Sequence, residues 1–309
     1  MSNVRRILAV VLAVVLCAAC FTACGNGGND STTAPASSGA EATGIAAAAS
    51  IADLKGMKIS AQTGTFHADA RAQIADVQGE TYPDFTELLT AVRSGAIDGY
   101  IAEEPTAISA CKTYSELGYL RLVNNDTGFT ATAADVGIAI GLKKGSDLLD
   151  KMNEVINGIT EEQKSQLMEQ IISIKNGETV ESFVLESEEP ENPTGTLKVA
   201  MECAYEPYNW TDLNTPSLGA VPIYGEDGKP KAGQYANGYD VQIAKYVADK
   251  LGMKLEVYSY SWDSLIPAVQ SGAVDAIVAG MSPTPDREEQ VDFTDMYYTS
   301  NLVVIYKKK

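Results

Sequence analysis

A chain of 309 residues, 45% hydrophobic and 21% charged, is long enough to bury a sizeable core and, by length, to form about two domains. Its formal net charge of -18 argues against any partner gripped through a phosphate backbone, because that work needs clustered Lys and Arg. Nucleic acid is not an expected partner.

Taken in chain order, Arg5 and Arg6 precede an apolar run, residues 7–15, too short to span a bilayer, and small residues with Cys20 and Cys24 follow. This is the layout of a secretory signal. Thr22, Ala23 and Cys24, followed by GNGGNDSTTAPASSG, resemble the lipobox and leader of a bacterial lipoprotein. The reading is a signal peptide over residues 1–23, lipidation at Cys24 with Cys20 as the alternative, and a flexible leader over residues 24–49. Two or more acyl chains hold a protein on a membrane where one holds it weakly, so the expected place is the outer face of the cell membrane. Beyond the leader only Cys111 and Cys203 remain, in different halves, and both are expected to be free and partly buried.

Residues 57–61 read as a strand, residues 66–74 as a helix, Thr86 as the cap of the next helix and residues 97–101 as a strand. A capping box, Thr160 to Gln163, opens a later helix. Residues 175–195, KNGETVESFVLESEEPENPTG, have the charge, Pro and Gly of a linker. Residues 197–201 and 255–260 read as strands. Between them Asp240 opens a helix with Val241, Ala244, Val247, Ala248 and Leu251 on one face, and Asp263 is the expected cap of the helix that follows. Residues 274–279 form an apolar, buried strand.

A weak repeat organises these elements. LLTAVRSGAIDGYIAEEPT, from Leu88, matches LIPAVQSGAVDAIVAGMSP, from Leu265. Each copy is a short amphipathic helix, a Ser-Gly stop, an Asp and an apolar strand, with glycine ending the helix. Helices alternating with buried strands imply two open α/β lobes with largely parallel sheets, and ligands of such sheets bind beyond the carboxyl ends of the strands. Two such lobes facing each other enclose one cleft.

The stretches GYDVQIAKYVADKLG, SWDSLIPAVQSGAVDAIVAGMSPTPDREEQVDFTDMYY and LKGMKISAQTGT resemble the extracellular amino-acid-binding proteins of ABC importers, the polar amino acid family with the two-lobed periplasmic-binding-protein type II fold. The resemblance covers nearly all of residues 50–309. It departs in order: in the family the part resembling residues 196–309 comes first, so this sequence resembles a circular permutant. Residues 50–137 are expected to form one lobe and residues 138–309 the other, with residues 145–174 in the latter. A cut at a lobe-connecting strand would leave one covalent crossover, near residues 136–144, and both ends of the fold near the hinge. What the resemblance implies is a monomeric substrate-binding component that closes on a free amino acid and delivers it to a permease, with no cofactor and no metal.

A free amino acid presents a carboxylate, an ammonium and a side chain, and a closed cleft must satisfy all three. Arg287, a short loop after its strand, offers a planar fork to the carboxylate. Gly280 and Ser282 add a carbonyl and a hydroxyl or amide. Gln62 to Phe66 joins a strand to a helix start, where Thr65 and the Phe66 amide would meet the same carboxylate. Glu103 takes the place where the family has an aspartate for the ammonium, with Glu104 as the alternative. By resemblance Tyr205 and Trp262 are the walls of an aromatic sandwich and Glu202 points to the ligand's distal end, which favours arginine or lysine, then glutamine.

Two rivals stay open. A carboxylate-based enzyme on this scaffold would use Glu103 and Glu202. No nucleophile elbow, HExxH or Cys-rich metal spacing occurs, and the single histidine, His67, reads as a solvated residue beside a helix start. A ligand-sensing ectodomain is the other.

Overall fold

The computed structural model describes residues 44–309. The expected signal, Cys24 and most of the leader lie outside the described residues. The leader is expected to run to residue 49, but Gly44–Ala47 is already a 3-10 turn whose Ile45 is buried in a core with Ile59, Ile101 and Val304.

The first half follows the expected order. Strand β1 (Ile59–Ser60) leads to helix α1 (Phe66–Ala72), helix α2 (Phe85–Ser94), strand β2 (Gly99–Glu103), helix α3 (Glu104–Thr113) and strand β3 (Leu117–Arg121). Asp84 rather than Thr86 caps α2: its carboxylate accepts from the Glu87 amide, an Asp in extended backbone just ahead of the apolar stripe. Helix α2 ends where Gly95 takes the left-handed conformation (φ 78°) that a side chain would disfavour.

Helix α4 (Ala133–Val136) precedes strands β4 (Gly137–Ile138) and β5 (Gly141–Leu142) and helices α5 (Leu149–Asn157) and α6 (Glu161–Lys175). The Thr160–Gln163 box caps α6 with both of its reciprocal bonds. Helix α6 packs on α3 of the first half as well as on the second. Residues 175–195 are no free tether. Leu185 is buried, the Val184 amide donates to Gln170, Ser187 donates to Asp249, and Lys175 pairs with Glu206 at 2.6 Å.

The second half builds strands β6 (Thr196–Met201), β7 (Ala204–Tyr205), β8 (Asn209–Leu213), β9 (Val221–Tyr224) and β10 (Pro230–Asn237). Helix α7 (Tyr239–Lys250), strand β11 (Lys254–Ser259), helix α8 (Leu265–Ser271) and strand β12 (Ala276–Ile277) follow. The expected cap Asp263 lies instead in a 3-10 turn, Trp262–Ser264, that runs into α8. Of the expected strand over 274–279 only β12 is a regular strand; beyond it the Val278 amide still donates to the Ala200 carbonyl of β6 at 3.1 Å, and residues 278–279 stay buried. Helix α9 (Pro285–Glu288) and strands β13 (Asp292–Phe293), β14 (Tyr298–Thr299) and β15 (Leu302–Lys307) close the described chain.

The strands make a mixed α/β fold. One sheet runs β1-β2-β15-β3, another runs β13-β5-β12-β6-β11-β9-β10-β8-β7, and β14 pairs with β4. The central pairs β1/β2, β6/β11 and β6/β12 are parallel, as the alternating elements require. Strand β15 corrects the division at residue 138: it lies antiparallel between β2 and β3, in the sheet of the first half. It also corrects the expectation of a single crossover. The chain passes between the sheets at 136–141 and again at 294–301, and the antiparallel β4/β14 pair ties the two passages together. The ends of the fold are therefore away from the hinge, because Leu302 of β15 faces Glu103 at the crossing while Lys307 faces Leu117 at the far end.

Candidate functional site

The two halves meet at the carboxyl ends of β1, β2 and β12. Eight of the expected site residues line one crevice there: Gln62, Thr65 and Phe66 from the first half, and Tyr205, Trp262, Gly280, Ser282 and Arg287 from the second. His67 and Phe85 complete the wall.

Arg287 sits on α9, which Thr284 and Pro285 start just past β12. Its guanidinium donates to the Ser282 carbonyl at 2.9 Å and across the crevice to the Gly64 carbonyl at 3.1 Å, and stands 5.2 Å from the Trp262 ring centre. Among the described residues it has no ion-pair partner. Burial lowers its pKa to about 10, with Asp69 acting in the opposite direction. Gly280 must be glycine: its φ is 62° and a Cβ would lie 3.1 Å from the Tyr205 ring. The Ser282 hydroxyl is turned to the Asp135 carbonyl at 2.9 Å.

Across the crevice, Thr65 sits at the N-cap of α1 in extended backbone and donates to the Gln62 carbonyl at 2.8 Å. The Gln62 amide bridges to the second half, donating to both oxygens of Glu202 at 2.9 and 3.1 Å. Glu202 lies one step further out, in an adjoining chamber walled also by Asp84, Glu226, Lys231, Asp263 and Trp262. Burial pushes its carboxyl up to about 7, opposed by the Gln62 bond and helped by Asp84 and Asp263. The expected Tyr205–Trp262 sandwich is not the pairing present. Tyr205 stacks on Phe85 at 3.9 Å between centroids, and Trp262 donates to the Gly64 carbonyl at 3.1 Å while facing Arg287.

Glu103 is buried at the end of β2 and stands behind the crevice wall, paired to His67 at 3.0 Å. Glu104 points elsewhere, to Arg121 at 3.3 Å. His67 corrects the reading of a solvated residue: it is 7% exposed and takes part in the wall. The signal that could have found it is its place as the second residue of a helix that starts at a strand's carboxyl end, where an inward position is buried. Among the described residues no cluster of three His, Cys, Asp or Glu is placed to hold a metal, and no helix is long and apolar enough to cross a membrane. Cys111 and Cys203 are free, the first half-buried and the second buried.

Residues 228–309, which contain α7 to β15 with Gly280 and Arg287, match the family described as bacterial extracellular solute-binding proteins, family 3. This part of the chain is similar to that family. Among similar curated proteins, the arginine-binding extracellular protein ArtP of Bacillus subtilis (strain 168) is 46% identical over 85 residues, 26% of this chain and 33% of that one. The L-cystine-binding protein TcyA of the same organism is 34% identical over 114 residues, 37% of this chain and 35% of that one. The chain thus spans about a third of the length of these curated relatives. Among solved structures, an ancestral arginine-binding protein bound to arginine is 36% identical, with 35% of this chain and 39% of that one covered at a TM-score of 0.26.

Proposed function

We propose that this chain is the extracellular substrate-binding component of an amino-acid ABC importer. It binds a free polar or basic L-amino acid between its halves and, closed on it, delivers it to a permease. One observation carries the reading: a half-buried guanidinium in the interlobe crevice whose hydrogen bonds all go to carbonyl oxygens. A ligand carboxylate is a stronger partner for that fork than two carbonyls are. Thr65, the Phe66 amide and Ser282 flank the same place, and Gly280 supplies a carbonyl.

Arginine or lysine is favoured and glutamine comes next. The outer chamber holds Asp84, Glu202, Glu226 and Asp263 against Lys231, which suits a cationic distal group. Relatives named for arginine and cystine fit the same class. Tyr205 and Trp262 wall the ligand once Phe85 gives up its place on Tyr205. Contacts from both halves give the closed state its differential affinity, and the closed state is what a permease reads. The anchor is the lipidated Cys24 exposed by removal of residues 1–23, on the outer face of the membrane. The protomer acts as a monomer, and its segment order is that of a circular permutant whose cut leaves both hinge passages intact.

A thermal-shift screen with the twenty amino acids, followed by calorimetry, tests the proposal. Stabilisation by arginine, lysine or glutamine is expected. A flat response to all twenty would overturn it.

A further inference from the structure

His67 is the single histidine of the sequence, and its ring is held from three sides. Nδ1 lies 3.2 Å from the Thr65 hydroxyl, Nε2 lies 3.0 Å from Glu103 Oε1, and the Phe85 ring meets it edge-on at 5.6 Å. The Thr65 hydroxyl has already given its proton to the Gln62 carbonyl at 2.8 Å, so toward His67 it can only accept. Nδ1 therefore carries hydrogen, and a single proton between Nε2 and Oε1 completes the chain from Gln62 to Glu103.

The other carboxylate oxygen tells what this chain of bonds is for. Glu103 is 4% exposed, and its Oε2 is buried with no partner; the Tyr205 and Tyr208 hydroxyls are orphaned in the same way. Tyr208 feels this carboxylate directly: burial first, and the Glu103 charge next, push its phenol well above the ordinary value. A buried acceptor left bare keeps its desolvation penalty uncompensated, so one oxygen fixed and one left open is a costly arrangement unless something arrives to use it.

We infer that His67 is a positioning residue: it fixes Glu103 through Oε1 so that Oε2 stands as the acceptor for the ammonium of an amino acid ligand. The inference rests on the binding function proposed above.

The full chain allows a direct test, because a long-range 1H–15N spectrum of the imidazole reports His67 alone. Nδ1 is expected to be protonated, and the Nε2 signal to shift both in Glu103→Gln and when L-arginine is added to the wild type. In calorimetry with L-arginine, or with the amino acid that the screen selects, His67→Ala is expected to weaken binding about ten- to a hundredfold, the range of a charge-assisted hydrogen bond. His67→Gln, whose amide reaches the same oxygen, is expected to recover most of that loss, and His67→Ala added to Glu103→Gln to cost nothing further. An unprotonated Nδ1, a ring indifferent to Glu103→Gln, or wild-type affinity in His67→Ala overturns the role of His67 and leaves the binding function standing. If the wild type binds none of the twenty amino acids, the function itself fails and the role falls with it. A loss that His67→Gln fails to recover, paired with an equal loss of thermal stability in both variants, marks plain packing and overturns the inference too.

Discussion

The two repeat units are built alike and deliver opposite charges. Helix α2 ends at Gly95 (φ 78°, ψ 17°) and helix α8 ends at Gly272 (φ 78°, ψ 18°). In the first unit Asp98 accepts from the Lys58 amide at 2.9 Å while its own amide donates to the Lys58 carbonyl at 2.8 Å. In the second, Asp275 does the same with Lys198, both at 2.8 Å. Each Asp thus clips the start of one strand to the parallel strand beside it. Past that clip the units part. Strand β2 runs straight into α3 with Glu103 at the join, whereas β12 opens into the loop that carries Gly280, Ser282 and Arg287. The shared part is scaffold, and what each strand hands over at its carboxyl end sets the polarity of the crevice.

That contrast can be broken most forcefully at its cationic end. Arg287→Ala is expected to cost about 2–5 kcal/mol of amino-acid binding in calorimetry, the range for truncating one partner of a buried charge pair. Gly280→Ala places a methyl 3.1 Å from the Tyr205 ring at a φ of 62°. It is expected to lose about 2–3 kcal/mol of stability in urea denaturation, against about 1 kcal/mol for Gly95→Ala, where strain acts without a clash. The clips are expected to be equivalent, with Asp98→Ala and Asp275→Ala each costing about 1 kcal/mol in the same assay. A large inequality between them would show that the units are alike in sequence only.

The smallest effect depends on pH. The folded-state pKa of Glu202 is raised above the ordinary carboxylate value to about 7, so the folded chain keeps a proton that the unfolded chain releases. Stability from this group is present at low pH and is lost as pH climbs toward and through 7. Glu202→Gln is therefore expected to raise the melting temperature by a degree or so at about pH 8 and to leave it unchanged at about pH 4. Wild-type affinity for L-arginine is expected to rise across the same interval as the carboxylate forms.

Local pattern made most of the fold legible. The Ser-Gly-x-x-Asp steps marked both helix ends and both strand starts, and the Thr160–Gln163 box marked α6, because each device acts within a few residues. Eight of the ten expected ligand contacts gather in one crevice for the same reason, since they sit on short joints next to strand ends. Apart from the cap of α2, what escaped was set by long-range partners. Asp84 outcompeted Thr86 as a cap because its carboxylate stands at the right distance from the Glu87 amide. Residues 175–195 have the composition of a tether, but Phe183 and Leu185 give them something to bury. The place of β15 follows from β2 and β3 each offering it an edge, and the burial of His67 from Glu103 lying behind it.

The doubled passage at β4 and β14 has a mechanical meaning. A lone tether lets two bodies twist, slide and tilt independently. Two strands laced side by side resist sliding, since that would tear the ladder bonds, and resist twisting, since it would stretch one strand against the other. Flexing across the pair is what remains, a single coordinate along which the proposed closure would run in one fixed registration.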